Sequence, residues 1–317
     1  MPAQRAGNNA CQGMSDSILP DPILPDPVPS APVFPLEALG AAGALAAVVL
    51  LLCGWPWRGP GGARIAVGWT LGVGLGFYLG CWLLERRPHW PPREDQDRFL
   101  ILLMPAVFGV ELLAAFPRIS RRLIWLLRLA MVAGTARLLL HGSIYLTDSL
   151  GPDRWSPAQA ILILGVLAVA LAAEWTLLAL LAGRAPGRSL PAALALTCAG
   201  AGVTVMLSGY FTGGQLALPL SASLAGCTAA SLFLYRPPRS DGWLGPGIVG
   251  LFGVLVVGRF FSNLSTIHAL VLFFAPLLGW VPELPYLCRI RRAVRGLVRL
   301  TFIAIPVLVA ALRAWKS

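Results

Sequence analysis

Beyond Pro35 the chain is a close succession of apolar runs, each long enough as a helix of about 20 residues to cross a hydrocarbon core about 30 Å thick. Runs at 36–54, 64–84, 99–117, 122–145, 158–183, 190–210, 214–235, 243–261, 265–281 and 294–313 predict an all-α fold. The expected architecture is a polytopic integral membrane helix bundle of about ten transmembrane helices, range 8–10, because Pro276, Pro282, Pro285 and Pro306 interrupt the last runs. Composition points the same way. Of 317 residues 57% are hydrophobic and only 12% charged, too little charge to cover the surface of a soluble protein. Disorder, a coiled coil and a disulfide-stapled secreted domain are excluded on the same ground.

Residues 1–34 differ from the rest of the chain. They contain the tandem repeat ILPDPILPDP at Ile18 to Pro27, and so many prolines forbid helix and sheet alike. The expectation is a disordered Pro-rich tail ahead of a transmembrane helical domain at 35–317, without the apolar centre and cleavage site of a secretory signal. The loops between runs are short, so no soluble catalytic domain is expected.

The net charge of +11 comes almost entirely from arginine, Lys316 being the sole lysine. The arginines stand singly or in short clusters between apolar runs, which is the pattern of orientation signals and headgroup contacts and not of a nucleic-acid stripe. With the N-terminus outside, the loops retained in the cytoplasm carry thirteen arginines against eight basic residues on the other side. The prediction is therefore a cell (inner) membrane protein with its N-terminus outside. Its expected partners are the bilayer itself and anionic lipid headgroups at the cytoplasmic face. No nucleic acid is expected, and a homo- or hetero-oligomer is left open. The preference for Arg over Lys, with abundant Ala, Gly and Pro, suggests a GC-rich bacterial genome.

The second run carries Gly68, Gly72, Gly76 and Gly80, a glycine zipper at steps of four that lets a neighbouring backbone approach closely. An intramolecular packing groove is the first reading, and a homodimer or partner-docking face the next.

Charges at membrane depth are costly, so they mark structure or function. Glu111 and Arg128 lie at equal depth, about 9 Å from the cytoplasmic ends of the third and fourth helices, and are expected to form a buried ion pair. Arg137 and Glu174 match in depth as a second pair. On the fourth helix Arg137, His141, Tyr145 and Asp148 stand at steps of four, four and three, which makes one polar stripe toward the outer surface. Arg259, Ser262, Asn263 and His268 sit at the outer ends of the eighth and ninth helices. Together these residues predict a cationic, histidine-bearing pocket suited to a carboxylate, a phosphate or a lipid headgroup.

The first functional expectation is binding or transport of a small solute or lipid through that polar outer-half cavity. The alternatives are a membrane-embedded enzyme acting on a lipid-linked substrate, with His141 as base, and a structural subunit that docks a partner through the glycine stripe. An enzyme is the less favoured class. A Walker loop, H-E-x-x-H and G-x-S-x-G are all missing from the sequence, and the six cysteines are scattered, so no catalytic residue, cofactor or metal is assigned.

Overall fold

The computed structural model describes residues 35–54, 62–92, 94–146, 155–185, 187–234, 242–284 and 291–316. The Pro-rich segment 1–34 and Asp148 lie outside the described residues. Among the described residues there is no strand, and the fold is an all-α helical bundle. Its elements are α1 (Pro35–Gly54), α2 (Gly62–Leu83), α3 (Asp95–Arg98), a π-helical turn (Phe99–Leu103) and α4 (Met104–Ala114). Then come α5 (Arg121–Leu139), α6 (Pro157–Arg184), α7 (Ser189–Leu207), α8 (Phe211–Gln215), α9 (Ala217–Ala230), α10 (Leu244–Phe261), α11 (Thr266–Phe274) and α12 (Arg292–Lys316). Three-ten turns extend α9 through Ser231–Phe233 and α11 through Ala275–Glu283.

Among the described residues eight segments are long and apolar enough to cross a membrane, which makes this a multi-pass membrane protein. The α3–α4 rod and α5 fall outside that set. Every stretch of membrane-crossing length in the first carries at least three of Asp95, Asp97, Arg98 and Glu111, and its π turn lies just where Pro105 offers no N–H to the carbonyl of Ile101. The second carries Arg121, Arg122, Arg128 and Arg137 within 19 residues. Both rods nonetheless pack beside the others, against α10, α2 and α6.

The local signals for the ends are plain. Ser120 accepts from the Leu123 N–H at 3.2 Å to open α5, and Ser156 and Gln159 form a capping box ahead of Pro157 to open α6. At Pro276 the missing N–H ends α11 and the chain tightens into the three-ten turn. Pro306 lies inside α12 without ending it.

Successive rods alternate in direction. At one end Arg86 Nε donates to Gln215 Oε1 at 2.9 Å, and the Asn263 N–H donates to the Ser208 carbonyl at 3.3 Å. At the other, Arg188 Nη2 donates to the Leu234 carbonyl at 3.1 Å, and Arg299 Nη1 donates to Ser189 Oγ. The second end is the arginine-rich one.

The core is built around α10, in which every residue from Leu244 to Gly258 is buried. A helix that is apolar all round belongs inside a bundle, and here five glycines let neighbours reach its axis. Glu111 meets Gly245, Leu194 meets Gly247, Leu220 meets Gly250, Phe99 meets Gly253 and Val205 meets Gly258. The bundle's outer surface is apolar, with Ile161, Val166 and Val169 on α6 and Ile305 and Leu308 on α12 exposed. Large exposed apolar residues on so many helices are what a lipid-facing surface requires.

The glycine stripe of α2 faces this chain's own helices. A Cβ at Gly68 would lie 2.8 Å from Cys53 Cβ, at Gly72 2.8 Å from the Ala46 carbonyl, at Gly76 2.6 Å from that of Ala42, and at Gly80 2.7 Å from Pro219 Cβ. Gly226 of α9 meets Gly43 of α1 in the same way. The stripe therefore packs α2 onto α1 and α9, and all four of its glycines are buried there.

A cleft at one end and a buried ion pair at the arginine-rich end

The expected stripe on the fourth membrane helix stops short. α5 ends at Leu139 because the chain turns through Gly142, whose φ of +74° lies in the left-handed region. His141 and Tyr145 are thus in a turn and not on one helical face. Arg137, the last charged residue of α5, is exposed and makes no ion pair among the described residues. The expected Arg137–Glu174 pair does not form. Glu174 is 0% exposed, and neither of its carboxylate oxygens has a hydrogen-bond partner among the described residues. Equal depth fixes height along the bundle but not the direction in which a side chain points.

At this end a cleft of about 510 Å³ opens between the turn after α5, the α7–α8 turn and the α10–α11 turn. Gly142, Ser143, Tyr145, Ser208, Ser262 and Asn263 are among its lining residues. The Tyr145 ring stacks on Trp155 at 4.9 Å between centroids and meets the edge of Phe260 at 5.6 Å. Ser208 Oγ donates to backbone carbonyls of α7 and lies 3.5 Å from Ser262 Oγ. Of the residues expected to share a pocket, Tyr145, Ser262 and Asn263 do so. Arg259, His141 and His268 are not in the lining; Arg259 Nε donates instead to Thr266 Oγ1 at 2.7 Å, with its guanidinium over Phe260. Among the described residues the lining is hydroxyl, amide and aromatic, without the arginines and histidines that the sequence leads one to expect there.

Beside the cleft is a polar cluster that run length and spacing give no reason to expect, since its acids fall in a segment between two apolar runs. Asp95 and Asp97 are buried. Tyr210 donates to both Asp95 oxygens at 3.1 and 3.0 Å, while Gln96 Nε2 donates to Tyr210 Oη at 3.0 Å and to Thr212 Oγ1 at 2.9 Å. Burial raises the Asp95 carboxyl, against the lowering effect of the Tyr210 hydrogen bond. Burial, and then the charge of Asp95, push the Tyr210 phenol up to about 12.

At the arginine-rich end Arg128 and Glu111 meet. Arg128 Nη2 lies 2.8 Å from Glu111 Oε2 and Nε 3.0 Å from Oε1, the bidentate geometry that a planar guanidinium favours. Glu111 is 0% exposed, and the Gly242 N–H, just ahead of α10, approaches Oε2 at 3.4 Å. The carboxylate thus sits at the positive end of the central helix. The Arg128 guanidinium lies 5.6 Å from the ring centroids of both Trp125 and Trp175. A second cluster, not anticipated from the sequence, has Arg299 Nη2 at 2.7 Å and Arg295 Nη1 at 3.6 Å from Glu283. The four-residue step between Arg295 and Arg299, which puts both on one face of α12, is its one available signal.

Among the described residues no three His, Cys, Asp or Glu side chains converge as a metal site would need. No protein-family model matches the chain, and no curated protein matches its sequence.

Proposed function

We propose that this is a ten-pass inner-membrane protein, N-terminus outside, that binds or moves a small polar solute or lipid headgroup through the cleft at its outer end. The observation that carries the reading is the cleft itself: about 510 Å³, with hydroxyl groups, an amide and a stacked tyrosine on its walls. A few placed polar groups beside an aromatic face are what small-molecule sites use, and a lining that is uncharged among the described residues favours a neutral hydroxyl-rich ligand over an anion. Support for ten passes comes from the alternation of rod ends, which includes the α3–α4 rod and α5. Support for the orientation comes from the thirteen arginines in one set of loops. The enzyme reading is weaker, because a general base must reach the reacting atom and His141 is not among the cleft residues.

Trp155, stacked on Tyr145, reports on occupancy. Purified protein titrated with a panel of polyols, sugars and glycerol-headgroup lipids should show a saturable fluorescence change with at least one class. That change should be absent in Trp155→Phe and weakened by Asn263→Ala or Ser262→Ala. Binding that survives all three substitutions, or no response across the panel, overturns the proposal. An N-terminal fluorescent fusion that is bright only in the cytoplasm should stay dark; a bright one reverses the orientation.

A further inference from the structure

At the arginine-rich end a second groove, of about 340 Å³, opens between α5, α6 and the turn that joins α4 to α5. Phe116, Trp125 and Leu180 are among its walls, Arg128 and Thr176 face it, and Arg121 stands in its lining. The charges around it do not balance. Arg128 is neutralised by Glu111 through two of its nitrogens. Among the described residues Arg121 has no acidic partner, nor do Arg118 and Arg122 beside it, and all three are exposed. The adjoining helix surface is hydrocarbon-like, with Leu126 and Leu129 of α5 and Leu177 and Leu180 of α6 all exposed.

This groove on a lipid-facing helix pair has Arg121 and Trp125 in its lining, Arg118 and Arg122 close to Arg121 in the chain, and no acidic side chain among the described residues that line it. Arginine binds phosphate bidentately, tryptophan settles at the ester level, and unpaired basic residues beside a bilayer draw anionic lipids. We propose that this groove is a binding site for one anionic phospholipid. Its phosphate lies among Arg118, Arg121 and Arg122, its glycerol region against Trp125, and an acyl chain along Leu180. A zwitterionic lipid would bring its own cation among three arginines, so the site selects for net negative charge. The proposal concerns the end of the bundle opposite the outer cleft and stands or falls independently of it.

The test uses the full chain in phosphatidylcholine vesicles with a fixed fraction of brominated lipid, either phosphatidylglycerol or phosphatidylcholine. The signal of Trp125, taken as the difference between the wild type and Trp125→Phe, should be quenched more by the brominated phosphatidylglycerol. Each arginine near an anionic surface contributes roughly a fivefold preference, so Arg121→Gln should reduce the selectivity about that much. The combined Arg118→Gln, Arg121→Gln and Arg122→Gln variant should abolish it. Should Trp125→Phe fail to fold, native mass spectrometry of the wild type and the triple variant counts retained phosphatidylglycerol directly. Equal quenching by the two lipids, or retention unchanged in the triple variant, overturns the proposal. So does a thermal shift produced by inorganic phosphate and not by phosphatidylglycerol, which would make the ligand a free anion.

Discussion

Arg128 grips Glu111 through Nε and Nη2 at 3.0 and 2.8 Å, and the carboxylate so held rests at the N-terminal end of the central helix α10. The pair joins three rods, since Glu111 belongs to α4, Arg128 to α5 and Gly242 to the approach to α10. Removing one partner leaves a charge buried without compensation, which typically costs about 3–5 kcal/mol, whereas apolar replacement of both is often neutral. Arg128→Met should therefore lower the melting temperature in detergent sharply. The double variant Arg128→Met with Glu111→Leu should recover most of the loss. Equal stability of the single variant and the wild type would remove the pair from the account of what holds these rods together.

The same carboxylate explains a glycine. A Cβ at Gly245 would fall 2.7 Å from Glu111 Oε1, and one at Gly76 would fall 2.6 Å from both the Ala42 carbonyl and Ser223 Oγ. Overpacking of this kind costs about 1–3 kcal/mol, so Gly245→Ala and Gly76→Ala should both destabilise the protein. Gly165 in α6 has open space where its Cβ would be. In the middle of a helix, Gly165→Ala should stabilise by about 0.5–1 kcal/mol. Thermal unfolding of the three variants side by side separates glycines that admit a neighbour from one that does not.

Glu174 offers the opposite test to Glu111. It is as deeply buried, yet both of its oxygens lack a partner among the described residues. A buried unpaired polar group costs free energy, and replacing it gives up no hydrogen bond. Glu174→Gln is therefore expected to change stability by less than about 1 kcal/mol, and Glu174→Leu to be neutral or stabilising, provided the carboxyl is not needed for function. If either variant melts far below the wild type, Glu174 has a partner in the membrane-embedded protein.

These contrasts mark what is legible in the chain. That the chain is an all-α bundle of membrane-length rods comes from run length, because a bilayer imposes one length on every crossing. Glu111 and Arg128 can be matched because depth is a count of residues from a helix end, and on rods adjacent in sequence that count suffices. It fails for Arg137 and Glu174, where one side chain points outward and the other into the core. The notches of α10 are not legible either. Gly245, Gly247, Gly250, Gly253 and Gly258 keep no constant step, and each admits a side chain from whichever rod happens to lie beside it. The cleft beside Tyr145 departs from its expected form for a local reason: Gly142 turns the chain away from α5 before the polar stripe can continue.

The Asp95–Tyr210 contact makes a prediction about pH. Tyr210 in the folded protein titrates near 12 against an ordinary value of 10.0, so its contribution to stability is fully present below pH 10 and lost as the pH rises toward 12. Asp95 is also raised, from 3.8, so its contribution is present in acid and is lost as the pH rises through the folded value. Part of the Tyr210 shift comes from the negative charge of Asp95. Asp95→Asn should therefore bring the Tyr210 titration down toward its ordinary value, though not all the way, because burial is the larger cause. It should also flatten the acid side of the stability profile. The check is the near-ultraviolet phenolate absorbance of each protein minus that of its Tyr210→Phe counterpart, measured through alkaline pH in detergent. A Tyr210 titration unmoved by Asp95→Asn would mean that the carboxylate and the phenol are not in contact in solution.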